Sequence, residues 1–184
     1  MGWAMILGAL LSCFLVGIPI WRITARLQEN RYDPIILRAA AENGCDPSLI
    51  KAVVWRESKF DATVRGKDGE IGLMQVMPLV GTEWSKAHGE KGFDAIRLLD
   101  PQTNLRVGAW YLSQALRDWA QASDPSPLAL AQYNAGRSNV LKWVDASSMA
   151  DGEYFISRIR FPSTQGYVRD ILKQYRLYRN RGEF

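Results

Sequence analysis

The chain has 184 residues, 47% of them hydrophobic and 23% charged, which fits one globular domain with an appendage and excludes extensive disorder. Two cysteines (Cys13, Cys45) and a single histidine (His88) are too few for a disulfide framework, a zinc site, or a Cys/His or Ser/His/Asp centre, so no metal and no cofactor is expected. A net charge of +4 favours an anionic partner, but the basic residues are scattered among acids without a run, which argues against nucleic acid and fits a wall polymer or a lipid surface.

Residues 1–21 come first. From Trp3 to Trp21 no charged residue occurs, a span of roughly 28 Å at helical rise, close to the hydrocarbon thickness of a bilayer. The segment predicts a hydrophobic N-terminal helix that anchors the chain to a membrane. A cleavable signal is the competing reading, although no small-x-small site follows and Gly17, Pro19 and Trp21 lead straight into polar sequence. Arg22 and Arg26 flank the C-terminal side, opposite to the usual cytoplasmic placement of positive charge, so charge alone does not set the orientation. Residues 22–32 read as a linker helix, and residues 33–184 as one compact domain.

In that domain Gly, Pro and Asp punctuate helical periodicity, and no strand-like alternation of any length occurs, so an all-α fold is predicted. Asp33-Pro34 opens a helix that Asn43-Gly44 closes; Asp46-Pro47 opens the next, with Asp as cap and Pro in the first turn. Asp100-Pro101 repeats the signal for a helix reaching about Trp119, where Leu105, Gly108, Ala109, Leu112, Ala115 and Leu116 recur at core spacing. Gly108 and Ala109 on that stripe predict close approach of another helix. Pro127 starts a shorter helix that stops at Gly136, and two more are expected over Asn139–Asp145 and Thr164–Arg179. Residues 146–152 and the tail after Arg179 give no signal.

Glu57 is the candidate acid. It lies three and four positions after Val54 and Val53, on the apolar stripe they form with Ile50. Burial there would disfavour the charged form and let the carboxyl group hold a proton near neutral pH. The alternative is a solvated glutamate at the polar end of the helix, beside Arg56, Ser58 and Lys59. Gln75, an amide within the apolar stretch Gly72–Pro78, suits a sugar's hydroxyl and acetamide groups, or else is a buried glutamine bonded to backbone. Tyr133-Asn134 sets a ring beside an amide at a helix end, a pair suited to a sugar face and an N-acetyl group. Tyr167, by periodicity alone, is a core tyrosine whose hydroxyl needs a partner.

In order along the chain, Glu57-Ser58, Gly72-Leu73-Met74-Gln75-Val76-Met77-Pro78, Asn104 through Leu112, Ala131-Gln132-Tyr133-Asn134-Ala135-Gly136 and Gly166-Tyr167-Val168 resemble the soluble lytic transglycosylase family, whose catalytic domain is similar to goose-type lysozyme. The resemblance covers roughly Asp33 to Tyr178. It implies an α-rich lysozyme-like fold and an enzyme that cuts peptidoglycan glycan strands without consuming water, acting as a monomer. Glu57 is implied as the catalytic acid/base, with Ser58 supporting it, Gln75 and Asn134 binding N-acetylated sugars, and Tyr133 and Tyr167 lining the cleft. The family often has serine where this chain has Gly66 and glutamate where it has Ser163. The first departure questions one hydrogen bond to the substrate's acetamido group, the second only helix capping. An envelope location follows, tethered to the inner membrane with the domain in the periplasm, or secreted there after signal cleavage. Two rival functions remain open: hydrolysis of the same bond, with Asp68 or Glu70 holding the water, and a non-catalytic glycan-binding scaffold.

Overall fold

The structure, a computed structural model, describes residue 24 and residues 26–184. The chain divides into two compact units, Met1–Tyr32 and Asp33–Phe184. In the first, residues 26–30 are helical, while the predicted hydrophobic helix of residues 1–21 lies outside the described residues. No helix among the described residues is long and apolar enough to cross a membrane.

The second unit contains helices α1 (Asp33–Asn43), α2 (Pro47–Ser58), α3 (Pro78–Ala87), a 3-10 turn (Ala95–Leu99), α4 (Pro101–Asp118), α5 (Ser126–Ala135), α6 (Arg137–Trp143), α7 (Ala146–Ala150), α8 (Gly152–Arg158) and α9 (Pro162–Asn180). Among the described residues, extended pairing is limited to two isolated antiparallel bridges, Arg65 with Ile71 and Ile71 with Val76. The aspartate caps form as the punctuation predicts at α2, where Asp46 accepts the Ser48 N–H at 2.8 Å, and at α4, where Asp100 accepts the Thr103 N–H at 2.8 Å. Asp33 differs: it is the first residue inside α1, and its carboxylate pairs with Lys51 Nζ at 2.9 Å. Three helices carry no advance signal in the sequence reading. The first is α3, and the others are α7 and α8, whose caps Asp145 and Asp151 accept the N–H groups of Ser148 and Glu153.

Helix α5 is the centre of the domain. Leu128, Ala129, Leu130 and Ala131 follow one another and each is 0% exposed, the pattern of a helix buried on every side. Around it pack α4, α6, α8 and α9. Helix α2 lies between α1 and α9, with Ile50, Val53 and Val54 fully buried, as are Val168 and Ile171 of α9. Burying each such side chain stabilises the fold by about 1.5–3 kcal/mol. Lys51 on α2 is also fully buried. Its ammonium group bonds Asp33 and Glu183 and lies 5.1 and 5.2 Å from the ring centroids of Tyr178 and Phe184, so the charge is compensated on several sides.

The approach that Gly108 permits is not that of a helix. A Cβ there would lie 2.5 Å from Met74 Sδ and 2.8 Å from Met74 Cβ, so the missing side chain admits the loop of residues 72–77 against α4. Ala109, also fully buried, offers its carbonyl to Cys45 Sγ at 3.8 Å.

Candidate active site

The floor of the cleft is that loop. Asn104 of α4, 0% exposed, ties its start to the 3-10 turn: Oδ1 accepts the Met74 N–H at 2.9 Å, and Nδ2 donates to Ile71 O at 2.7 Å and to Leu98 O of the turn at 2.8 Å. Gly72 has φ +76°, and a Cβ on it would lie 2.5 Å from Asn104 Nδ2, so glycine is required on both counts. Ser58 ties the floor to α2, its hydroxyl lying 2.9 Å from Leu73 O and 3.1 Å from Val54 O. It is 6% exposed and stands behind the cleft wall, fastening α2 to the loop next to Glu57 rather than facing a ligand.

Gln75 sits on this floor with φ +46°, a left-handed conformation uncommon outside glycine. Its side chain secures that geometry, since Nε2 donates to Gly72 O at 2.8 Å and Val64 O at 3.1 Å. Both donor positions are thereby used on backbone, as one of the two sequence readings anticipated, and the amide oxygen is what remains to offer a ligand.

Three helices bring the other groups together. Glu57 projects from the last turn of α2, and Tyr167 from α9 donates its hydroxyl to Glu57 Oε1 at 2.7 Å. The partner that this buried tyrosine lacked in the sequence is therefore the carboxyl group itself, 110 residues away. Arg56 lies over the Tyr167 ring at 5.5 Å and pairs with Asp170 at 3.3 Å, which holds the ring from behind. From α5, Tyr133 donates to Met74 O at 2.9 Å and so braces the helix against the floor. The next residue, Asn134, accepts the Thr164 hydroxyl of α9 on Oδ1 at 2.8 Å, which turns its NH2 group away from that bond.

Glu57, Glu70, Gln75, Met77, Tyr133 and Asn134 line one cavity of about 240 Å³. A smaller recess of about 70 Å³ shares Gln75, Met77 and Tyr133 with it and adds Val76, Val80 and Tyr111. Of the six sequence candidates, the structure puts Glu57, Gln75, Tyr133 and Asn134 in the cavity wall and Tyr167 and Ser58 immediately behind it. Met77, Glu70, Asn104 and Thr164 complete the arrangement; Met77 and Asn104 lie in motif blocks where no role had been assigned, and Thr164 has no distinguishing signal. Of the two loop acids, Glu70 faces the cavity, while Asp68 is exposed and gives its N–H to Glu70 Oε2 at 3.0 Å.

The departure at residue 66 has a direct structural counterpart. A Cβ on Gly66 would overlap Glu70 Oε2, lie 2.7 Å from Glu70 Cδ and 3.0 Å from Gln75 Oε1. At the other departure, Ser163 falls in the first turn of α9, a helix whose N-cap, Phe161, makes no side-chain capping bond.

Electrostatically Glu57 behaves as the apolar stripe suggests. Burial pushes its carboxyl group up to about 7, against opposing pulls from the Tyr167 hydrogen bond and the Arg56 charge, and with a further upward push from Glu70. At neutral pH both protonation states are populated. Burial and the neighbouring Glu57 hold the Tyr133 and Tyr167 phenols well above their ordinary value, so both stay neutral donors. Among the described residues no group of three or more His, Cys, Asp or Glu could hold a metal. The chemistry on offer is proton transfer by one tuned carboxyl group in a cavity of amides and rings.

Proteins similar in sequence and fold point one way. Residues 34–156 match the model of the transglycosylase SLT domain. The soluble lytic murein transglycosylase of Escherichia coli (strain K12) is 30% identical over 150 residues, which is 80% of this chain and 23% of that protein. The membrane-bound lytic murein transglycosylase C of Photorhabdus laumondii is 32% identical over 136 residues, 67% of this chain and 38% of that one. Among solved structures, an inactive mutant of the lytic transglycosylase Slt from Pseudomonas aeruginosa superposes with a TM-score of 0.72 at 30% identity, over 82% of this chain and 24% of that one. A complex of the 70 kDa soluble lytic transglycosylase with bulgecin A gives 0.74 at 29% identity, over 82% of this chain and 24% of that one. The chain thus spans about a quarter of the length of the soluble relatives. With the family model matched over most of the compact unit, and the fold shared with lytic transglycosylases, this chain belongs to the transglycosylase SLT domain family.

Proposed function

We propose that this chain is a peptidoglycan lytic transglycosylase in which Glu57 is the single acid/base. The observation that carries the reading is the Glu57 carboxyl group, raised to about 7 and hydrogen-bonded to Tyr167, at the edge of a cavity lined by Gln75, Asn134 and Tyr133. Glu57 gives its proton to the oxygen bridging N-acetylmuramic acid and N-acetylglucosamine, and the bond from that oxygen to C1 breaks. The substrate's acetamide oxygen stabilises the positive charge at C1, the substrate-assisted variant of glycoside cleavage. Glu57, now a carboxylate, takes the proton of the muramyl 6-hydroxyl as O6 attacks C1, which closes a 1,6-anhydro ring and restores the acid. A group with a midpoint near 7 suits both steps, because neither protonation state is costly at neutral pH.

In this reading Asn134 offers NH2 to a sugar acetamide, Gln75 offers its amide oxygen, and Tyr133 presents a ring face, while Ser58 and Tyr167 hold Glu57 in place. Residues 33–184 form the catalytic domain. Residues 1–21 anchor it to the inner membrane with the domain in the periplasm, or direct its secretion there, and the chain works as a monomer on glycan strands.

The test is zymography on purified peptidoglycan with mass spectrometry of the released muropeptides. Wild type should clear the gel and give anhydro products, and Glu57→Gln should fold but leave the substrate intact. A well-folded, active Glu57→Gln enzyme removes the assignment, and an inactive wild type favours a glycan-binding scaffold. Products one water heavier would indicate hydrolysis, a reading favoured by the presence of Glu70 in the cavity wall.

A further inference from the structure

Glu70 shares the cavity with Glu57, yet the reaction proposed above uses only one carboxyl group. Its seat depends on residue 66. The Glu70 carboxyl group fills the space into which any side chain at 66 would project. The backbone of Gly66 is not in the left-handed region, so glycine is needed there for room and not for conformation. One oxygen, Oε2, is tethered by the Asp68 N–H at 3.0 Å. The other makes no hydrogen bond, and no Lys or Arg pairs with Glu70 among the described residues. The group faces the cavity that holds the candidate acid.

From this placement we propose that Glu70 is a positioning residue of the cleft: a second carboxylate, admitted by the missing side chain at 66, whose negative charge favours the neutral, proton-donating form of Glu57. The inference rests on the cleavage reading above. The groups that face Glu57 are Tyr167 from α9, Tyr133 from α5, Arg56 from its own helix with Asp170 as counter-ion, and Glu70 from the loop. Burial is the largest influence on Glu57 and favours its neutral form, Tyr167 and Arg56 favour the ionised carboxylate, and the Glu70 charge adds a smaller push toward the neutral form. In a chain with serine at 66 the carboxyl group of residue 70 could not take this position, so Gly66 and Glu70 operate as a unit.

Two variants of the full chain test it. Glu70→Gln removes the charge, and Gly66→Ala keeps the charge but expels the carboxyl group, a change the fold should accept because the obstacle is the end of a flexible side chain. Carbon-13 NMR titration of the Glu57 carboxyl group reads the effect without turnover. In both variants Glu57 should lose its proton at lower pH than in wild type. The alkaline limb of glycan cleavage should move the same way, lowering the ratio of the rate at pH 8 to that at pH 6 by about two- to fivefold. A Glu57 midpoint that stays put or rises in Glu70→Gln overturns the proposal, and one that stays put in Gly66→Ala overturns the part played by residue 66. If Glu57→Gln still cleaves glycan while Glu70→Gln lowers the midpoint, the cleavage reading fails and the role of Glu70 stands. If Glu57→Gln is inactive and the midpoint in Glu70→Gln is unmoved, only the role of Glu70 fails.

Discussion

Replacing Glu57 by glutamine should stabilise the folded protein, and by an amount that depends on pH. The folded carboxyl group sits at about 7, against an ordinary value of 4.5, so between those values the folded protein binds a proton that the unfolded chain has released. Stability from this group is therefore fully present below about pH 4.5 and is lost as the pH rises toward 7. At roughly 1.4 kcal/mol per unit, the 2.5-unit difference between these two values amounts to about 3 kcal/mol at pH 8 and under about 1 kcal/mol at pH 5. Glutamine, which has no charge to bury and can still accept the Tyr167 hydroxyl, escapes this penalty. Urea unfolding of wild type and Glu57→Gln at pH 5 and pH 8 measures the effect, and other titrating groups cancel in the comparison. The mutant should gain about 2 kcal/mol more at pH 8 than at pH 5, corresponding to roughly 4–8 °C in Tm for a domain of this size. A pH-independent difference, or a larger gain at pH 5, would show that Glu57 is not a strained, desolvated acid.

Tyr167→Phe removes a hydrogen bond that favours the carboxylate, so Glu57 should hold its proton to higher pH. The alkaline limb of the cleavage profile should move up by about one unit, given about 1.5 kcal/mol for a bond to a charged group, and a shift to lower pH would refute the assignment of that bond. Asn104→Ala leaves the Met74 N–H and the Ile71 and Leu98 carbonyls without their buried partner. A loss of at least about 3 kcal/mol in urea unfolding is expected, and a loss under about 1 kcal/mol would mean the clamp contributes little.

Much of the candidate site is legible in the sequence. Apolar spacing put Glu57 on the core stripe, because a helix fixes which residues share a face, and the Asp-Pro pairs located the starts of α2 and α4 because capping and proline's fixed φ are local chemistry. What stayed hidden depends on contacts far apart in the chain. The partner of Tyr167 is a residue on another helix, and nothing near Asn104 indicates that its amide would be spent on a loop some thirty residues earlier. Gly108 marks a place of close approach, but the partner is the loop at Met74 and not the helix that the stripe predicts, a difference set by packing far along the chain. Gly66 was noted as a missing hydroxyl; that its absence makes room for an acid follows only when the loop's two arms are seen side by side.

The amide of Asn104 has a consequence for anyone shaping a molecule to this groove. Sliding residues 71–74 by one position would break two of its three bonds at once, those to the Met74 N–H and the Ile71 carbonyl, while the third holds the amide to Leu98 of the 3-10 turn, so this stretch has a single register and cannot creep to suit a guest. An inhibitor should be drawn against a rigid template there, with its adaptable parts turned toward the more solvent-exposed Met77 and Asn134.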